Sequence, residues 1–567
     1  MQGVQAEVRA HARFLNVRDS TNVDFNQPPP FEGRNLYLTD TSLQAAIVRE
    51  GAAWGESRLA AWGAILGRAE TFDLASRANR YAPELRTHDR FGNRIDEVVF
   101  DPAWHELMAL AMREGEHASP WTEATHGAQV VRAAAYLMHA QVENGTQCPL
   151  TMTFAAVPVL TRHATELPWL AETWLPRVLA AEYDARALPV SQKASALIGM
   201  GMTERQGGSD VRTNTTRAQP IGNREYLLTG HKWFFSAPMC DAHLVLAQAP
   251  AGLSCFLLPR ILPDGARNSV CLTRLKDKLG NRSNASAEAE FEGAHGWLLG
   301  EEGRGIPIIL EMVQHTRLDC SIGSAGLSRG ACAQALHHAR HRRAFGKNLV
   351  EQPLMQNVLA DLALESEAAL ALAMRLARAF ESDAGETERA LARLATPAIK
   401  YWICKRTPMV VAEAMEVLGG NGYVEESALP RFYREAPLNS IWEGSGNVMC
   451  LDVLRAARRE PVAVEALVAE LALSSRADAR LDRNIAMLHS TLAEQSVSEA
   501  EARRVAGQIA TVLAAALLVR NAPHAVADAY CASRLGDAYC GALGTLPAGV
   551  DCARVIAECG LAEQQPR

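Results

Sequence analysis

The sequence predicts a mainly α-helical fold with one β-domain set in its middle, and three observations carry that prediction. Alanine- and leucine-rich stretches with apolar residues at three- and four-residue spacing fill residues 41–195 and return from 306 onward. Between 196 and 305 the texture changes to short β-prone runs, REYLLTGHKWFFSA, AHLVLAQA, LSCFLLP and SAEAEFEG, parted by Gly, Pro, Asn and Asp. A chain of 567 residues, 48% hydrophobic and 21% charged, is also long enough to bury several cores.

Taken in order, residues 1–40 hold few periodic apolar positions but carry Asn22, Asn26 and Pro28-Pro29-Pro30, which favour extended backbone. They are expected to form an arm lying on another surface. Residues 41–195 form a helical domain with AAWGAILGRAE and GAQVVRAAAYLMHAQVE, broken at Pro102, Pro120, Pro149 and Pro168. The central β-domain takes 196–305, and a helical bundle takes 306–455. Residues 456–567, with VAVEALVAELAL and VAGQIATVLAAALLVR, form an added C-terminal helical domain.

The 57 basic and 64 acidic residues give a net charge of −7, so no global field draws the chain to nucleic acid or anionic lipid, and any basic surface is local. The start, MQGVQAEVRAHARFLNVRDS, lacks an apolar signal core, and no stretch reaches the ~18 uninterrupted apolar residues of a membrane span. A soluble, cytoplasmic protein without membrane association is expected. Twelve cysteines without a C-x-x-C pair are expected to be reduced core thiols.

Four segments concentrate residues suited to chemistry. Gly199-Met200-Gly201-Met202-Thr203, continuing to Gly208-Ser209-Asp210, combines small residues, hydroxyls and free amides that suit a polar ring edge or a phosphate, although a domain-linking turn reads the same way. GHKWFFSAP sets Trp233, Phe234, Phe235 and Ser236 in a β-run, where aromatics usually serve a core. HHARHRRAFG offers the Arg342 guanidinium, suited to a pyrophosphate, beside Phe345 and Gly346. Its His337 and His341, at i and i+4, have metal-ligand spacing, but no acidic or third ligand accompanies them, so no metal is expected. Finally, GGNGY at 419–423 and IWEGSGN at 441–447 are glycine-rich turns next to helix starts, which favour anions.

The ordered set M-T-E-x-x-x-G-S-D, W-x-x-S, R-x-x-F-G, G-G-x-G-Y and W-E-G resembles the acyl-CoA dehydrogenase family over roughly residues 40–455. The resemblance implies a helical domain, a β-barrel-like domain and a four-helix bundle, assembled as a homotetramer with FAD between subunits. It implies that Met200, Gly201, Met202, Thr203, Gly208 and Ser209 face the isoalloxazine, with Phe234, Phe235 and Ser236 on its other side. Arg342, Phe345, Gly419 and Gly420 would contact FAD of a neighbouring subunit. Ile441, Trp442, Gly444, Ser445, Gly446 and Asn447 would complete the cofactor loop around a catalytic base, Glu443. The family's other base position falls on Thr316, before Arg317, which is no base.

FNQPPP, NLYLTD, CPLTMTFAAVP, LKDKLGNRSNAS and TRLDCSIGS are similar to the AidB-type, alkylation-response branch of that family. This implies weak dehydrogenation of acyl-CoA thioesters such as isovaleryl-CoA, and binding of double-stranded DNA through the C-terminal domain. Residues 456–567 carry eleven arginines, no lysine and thirteen acidic residues, a net of −2, so a DNA site needs local clustering. Arg455, Arg458, Arg459, Arg503, Arg504 and Arg520 are the candidates, against the plainer possibility of a solvated helix surface. A dedicated short- or branched-chain acyl-CoA dehydrogenase without DNA binding is the alternative.

Overall fold

The computed structural model describes residues 26–123, 125–493, 497–536 and 541–563, so Asn22 and the rest of the arm before Asn26 lie outside the described residues. The described arm ends at Asp40, which caps helix α1 (Thr41–Arg49) by accepting from the Leu43 amide at 2.9 Å. Helices α2 (Glu56–Leu66), α3 (Ala69–Arg80), α4 (Pro102–Glu114), α5 (Ala128–His139) and α6 (Gln147–His163) follow. Between α3 and α4 lies a hairpin, β1 (Glu84–His88) and β2 (Arg94–Val99), where only helices were expected. Asp89 turns it by accepting from the Phe91 and Asn93 amides, with Gly92 in the left-handed region. The hairpin reaches the β-domain through Arg94, which donates to Leu272 O at 2.8 Å.

The β-domain comprises β3 (Ile198–Gly201), β4 (Arg217–Gly222), β5 (Glu225–Ser236), β6 (Ala242–Ala249), β7 (Gly252–Pro259), β8 (Val270–Leu275) and β9 (Ser286–Leu299). Pairing runs β6–β4–β5–β9–β7 and closes through β7–β6, with β3 added parallel to β6 and β8 added to β9. Its interior holds Leu228, Phe235, Val245, Phe256 and Phe291.

Helix α7 (Gly305–His341) is 37 residues long and apolar or small on nearly every side, so it is buried all round rather than along one stripe. Gly326 permits this: a Cβ there would lie 2.4 Å from Leu137 O on α5. The bundle is completed by α8 (Pro353–Arg378), α9 (Glu386–Leu418) and α11 (Gly446–Arg459), with short α10 (Leu429–Glu435) before the last. Beyond it come α12 (Pro461–Ala472), α13 (Ala479–Ala493), α14 (Ala502–Asn521), α15 (His524–Arg534) and α16 (Cys552–Glu558). These helices do not form a separate body: Leu467, Val505, Ile509 and Leu513 belong to the same core cluster as Leu364, Ile399 and Val410 of the bundle. The segment Glu499–Asn521 is apolar and long enough by composition to cross a bilayer, and 72% of that window is packed inside the protein. All cysteines among the described residues are free thiols, most of them buried.

The end of the described chain returns to its beginning. The Thr41 amide donates to Gly560 O at 2.9 Å and the Ala562 amide to Thr39 O at 3.0 Å. Beneath this junction Arg329 of α7, fully buried, donates to both oxygens of Asp40 at 2.8 and 2.6 Å and to Glu367 at 2.5 Å. One guanidinium thus joins the arm, α7 and α8. Arg329→Ala should leave two carboxyl groups buried without a counter-charge and cost about 3–5 kcal/mol. The expected readout is a lower apparent unfolding midpoint, with Arg329→Lys recovering only part of the loss because it lacks the bidentate fork.

Candidate active site

The loop between α10 and α11 carries Glu443, and three groups fix its shape. Lys400 of α9, 1% exposed, donates to the carbonyls of Asn439, Trp442 and Gly444, each at 2.9 Å. Arg317 of α7 donates to Glu443 O at 3.1 Å and pairs with Asp452 of α11 at 3.0 Å. Trp442 donates its indole N–H to Asn439 Oδ1 at 2.8 Å. Held this way, Glu443 adopts φ +58°, a left-handed conformation that costs a non-glycine residue about 1–2 kcal/mol. The cations on the carbonyls balance that strain and aim the side chain inward.

The Glu443 carboxylate accepts from Thr316 Oγ1 at 2.6 Å through Oε2, so the residue at the family's second base position supports the first. No other hydrogen bond among the described residues reaches the carboxylate. Burial raises its pKa, opposed by the Thr316 hydrogen bond and by the charges of Lys400 and Arg317. Cys148, at the start of α6, is near enough to feel the charge; burial and then Glu443, opposed by Lys278, push its thiol up to about 12. Beside Cys148 lies Asn284, 1% exposed, whose amide has no partner beyond that weak thiol. An orphaned amide here can be satisfied by the polar edge of a ligand.

The first motif meets the same region. Met202, at the end of β3, and Trp442 pack on one apolar cluster with Met312 and Val313 of α7. Thr203 accepts the Trp233 amide at 2.8 Å through its carbonyl, and its side chain fills the place a Cβ on Gly208 would occupy, 2.3 Å from Oγ1. Ser209 is exposed just beyond. A buried ion pair missed in the sequence, Glu204 with Lys232 at 2.9 Å, pins this turn to β5. On β5 the side chains alternate. Phe234 is half exposed beneath Lys276, whereas Phe235 is 2% exposed and stacks on His243 at 3.8 Å. Phe235 is therefore a core residue and faces no ligand, against expectation. Met200 and Gly201 are buried as well, and a Cβ on Gly201 would strike the Phe235 ring at 2.9 Å. Ser236 closes the strand, its carbonyl accepting from His243.

Arg342, Phe345, Gly419 and Gly420 gather elsewhere, at the far end of α7. Arg342 donates to Asn26 O, and Gln27 of the arm accepts from Asn421 at 2.8 Å, so one stretch of arm spans both motifs. Phe345 is 98% exposed with φ +52°, and a Cβ on Gly419 or Gly420 would meet nothing within 4 Å. In the last motif Ile441 is exposed, Ser445 precedes α11, and Gly446 is packed against Tyr401 and Lys405. Asn447 accepts from Arg503 Nε at 2.8 Å.

Of the candidate DNA-binding arginines, Arg455 and Arg459 of α11 are exposed and have no hydrogen bond or ion pair among the described residues. Arg458 donates to Val497 O, Arg503 to Asn447, and Arg504 pairs with Glu501 at 2.8 Å. Arg520 does not belong with them: it is partly buried and paired with Glu470.

Residues 26–185 match the Adaptive response protein AidB N-terminal domain, 199–294 the acyl-CoA dehydrogenase middle domain and 303–458 the acyl-CoA dehydrogenase C-terminal domain. The chain is 50% identical over 512 residues to the "Putative acyl-CoA dehydrogenase AidB" of Escherichia coli (strain K12), covering 90% of this chain and 94% of that protein. It is 31% identical over 408 residues to acyl-CoA dehydrogenase family member 11 of Caenorhabditis elegans, across 68% of this chain and 64% of that one. The crystal structure of Caenorhabditis elegans ACDH-11 in complex with C11-CoA has a TM-score of 0.82 at 27% identity, over 92% of this chain and 94% of the other.

A carboxyl whose pKa is raised in the folded state adds stability that is complete below its ordinary range and is lost as pH rises through the raised value. Glu443→Gln should therefore melt at a higher apparent temperature than the native chain at pH 7. The gap should close near pH 4, at about the ordinary carboxyl value. A thermal shift series across pH measures both.

Proposed function

The chain belongs to the acyl-CoA dehydrogenase family, and from that premise we propose that Glu443 removes the α-proton of a short or branched acyl-CoA thioester. We propose further that this weak dehydrogenase activity resides in a cytoplasmic protein that binds and shields duplex DNA in the response to alkylation damage. The protein is an FAD-dependent oxidoreductase of the acyl-CoA dehydrogenase type.

One observation carries the assignment of the base: a partly buried carboxylate, raised by burial, hydrogen-bonded through one oxygen to Thr316 and leaving the other to take a proton. A raised carboxyl is the better matched base for a weakly acidic C–H. As Glu443 accepts the α-proton, the Cα–Cβ double bond forms from the electrons of that C–H bond while the β-hydrogen departs as hydride. FAD, when bound, supplies the hydride acceptor.

The residues present fit such a cofactor. The turn 203–209, the half-exposed Phe234 and the unpartnered Asn284 amide offer apolar and polar surface near the Glu443 loop. The open glycines at 419–420 and the fully exposed Phe345 offer the same at the other end of α7. From Thr316 to Arg342 is 26 residues of this helix, roughly 39 Å at 1.5 Å per residue. That is further than one extended dinucleotide reaches, which supports Arg342, Phe345, Gly419 and Gly420 serving the cofactor of a neighbouring copy, as the proposed homotetramer requires.

Support for the DNA-binding part comes from the adaptive-response name of the matched N-terminal domain, and from Arg455, Arg458, Arg459, Arg503 and Arg504 on the contacting helices α11 and α14. The free thiols suit a reducing compartment.

Anaerobic mixing of the FAD-loaded protein with acyl-CoAs, isovaleryl-CoA among them, should bleach the flavin. Glu443→Gln should slow the bleaching at least about 100-fold while FAD stays bound. No bleaching with any thioester, or an unchanged rate in the variant, overturns the catalytic part.

Removing residues 456–567 would break the shared core, so DNA binding calls for point variants. In fluorescence anisotropy with a labelled duplex, Arg455→Ala/Arg459→Ala should weaken binding and flatten the dependence of log Kd on log salt by about 1.8. An unchanged slope removes this face from the proposal, and no binding by the native chain leaves a dedicated dehydrogenase.

A further inference from the structure

The third ligand that His337 and His341 lack in the sequence is supplied by the fold. Glu563, near the end of the described chain, lies over the last turn of α7, with Oε1 3.9 Å from His337 Nδ1 and 3.6 Å from His341 Nδ1. One nitrogen of each ring and one carboxylate oxygen all lie within 4.8 Å of one another. We propose that these three side chains bind a zinc-class divalent cation that clamps both ends of the described chain onto α7, independently of the dehydrogenase site.

Three features go beyond proximity. First, the protonation of His337 is set by its neighbour. Pro29 O can only accept, so His337 must donate Nε2–H to it, at 2.9 Å. The lone pair is then on Nδ1, the nitrogen that faces Glu563; His341 in turn donates Nδ1–H to His337 O at 2.9 Å, so it offers its Nε2 lone pair to the cation. A metal-bound histidine characteristically carries this hydrogen bond from its other nitrogen to a backbone carbonyl, which fixes ring and tautomer. The ring is also braced by Phe31, edge-on at 5.6 Å.

Second, Glu563 is held in place. Arg34 donates to Ala562 O at 2.7 Å and Arg340 to Leu561 O at 3.2 Å, while the Ala562 amide donates to Thr39 O. Both guanidinium groups thereby position Glu563, and their positive charge sets the cation affinity lower than the same three ligands would give alone. Third, the donor set has the right chemistry. Two imidazoles and one carboxylate, with coordination positions left for water, suit zinc and its first-row neighbours rather than magnesium or calcium. Around a tetrahedral zinc, ligand atoms stand about 3.4 Å apart, so closing the site takes side-chain adjustments of about 1 Å. Such a site ties Pro29 of the arm, the end of α7 and residue 563 together, one residue before Arg342.

The full-length FAD-loaded protein, freed of metal by dialysis against a chelator, is titrated with zinc in competition with a chromophoric zinc chelator. One zinc per chain is expected, with affinity falling about 100-fold or more in His341→Ala and in Glu563→Gln while FAD content and circular dichroism stay native. Cobalt in place of zinc should give visible d–d bands without the intense near-ultraviolet thiolate band, which separates this site from the free cysteines. No zinc uptake by the native chain, native affinity retained in either variant, or a thiolate band overturns the proposal.

Discussion

Helix α7 is the member on which the rest of the structure depends, because it runs through the protein with charge buried along its length. Arg132 of α5 makes two 2.7 Å bonds to Asp319 on this helix, Thr151 of α6 adds a third at 2.8 Å, and the guanidinium lies 3.6 Å over Phe154. Further along, Arg329 makes the matching contact outward to Asp40 and Glu367. Buried ion pairs add little net stability against apolar replacements, but they penalise every arrangement that separates the partners. Here they set the register of α7 against the N-terminal helices at one point and against the arm and α8 at another. Thr316 and Arg317, just before Asp319, inherit that register.

The loop carrying Glu443 then needs only to be fastened to α7 and α9. Lys400 and Arg317 do this through backbone carbonyls, so their hold on the loop leaves the Glu443 side chain free. The charges act on the carboxylate only at a distance, and they lower its pKa less than burial raises it. A direct ion pair with either cation would have made Glu443 a weaker base, as it does for Glu365, which Arg406 and Arg534 grip directly and hold at about 2 despite burial.

The fold class was legible because it rests on periodicity, which is local. The hairpin at 84–99 was not, since its two strands are short and mostly polar, and the Asp89–Asn93 turn was the only signal of it. In the site, Glu443 and the glycine turns were legible as motifs. Their supports were not: Lys400, Asp452 and Glu204 sit in ordinary helical or turn contexts, and only the fold shows what they hold. Phe235 was misassigned because a run of aromatics does not reveal which face of the strand points inward until the register is known. Glu563 is the extreme case: it meets His337 and His341 only because the chain's end returns to α7.

The segment after residue 455 looked separable in the sequence because it follows the last recognisable motif and is helical throughout. Packing makes it part of the machinery instead. Ser474 of the α12–α13 turn donates to Ala516 O of α14, Arg534 of α15 holds Asp361 and Glu365 of α8, and a Cβ on Gly507 of α14 would lie 3.2 Å from Trp402 of α9. Trp402 is two residues from Lys400, and Arg503, one turn before Gly507, bonds Asn447 in the first turn of α11, the helix that follows the Glu443 loop. The exposed arginines of α11 and α14 therefore stand on the same rigid packing that shapes the Glu443 loop.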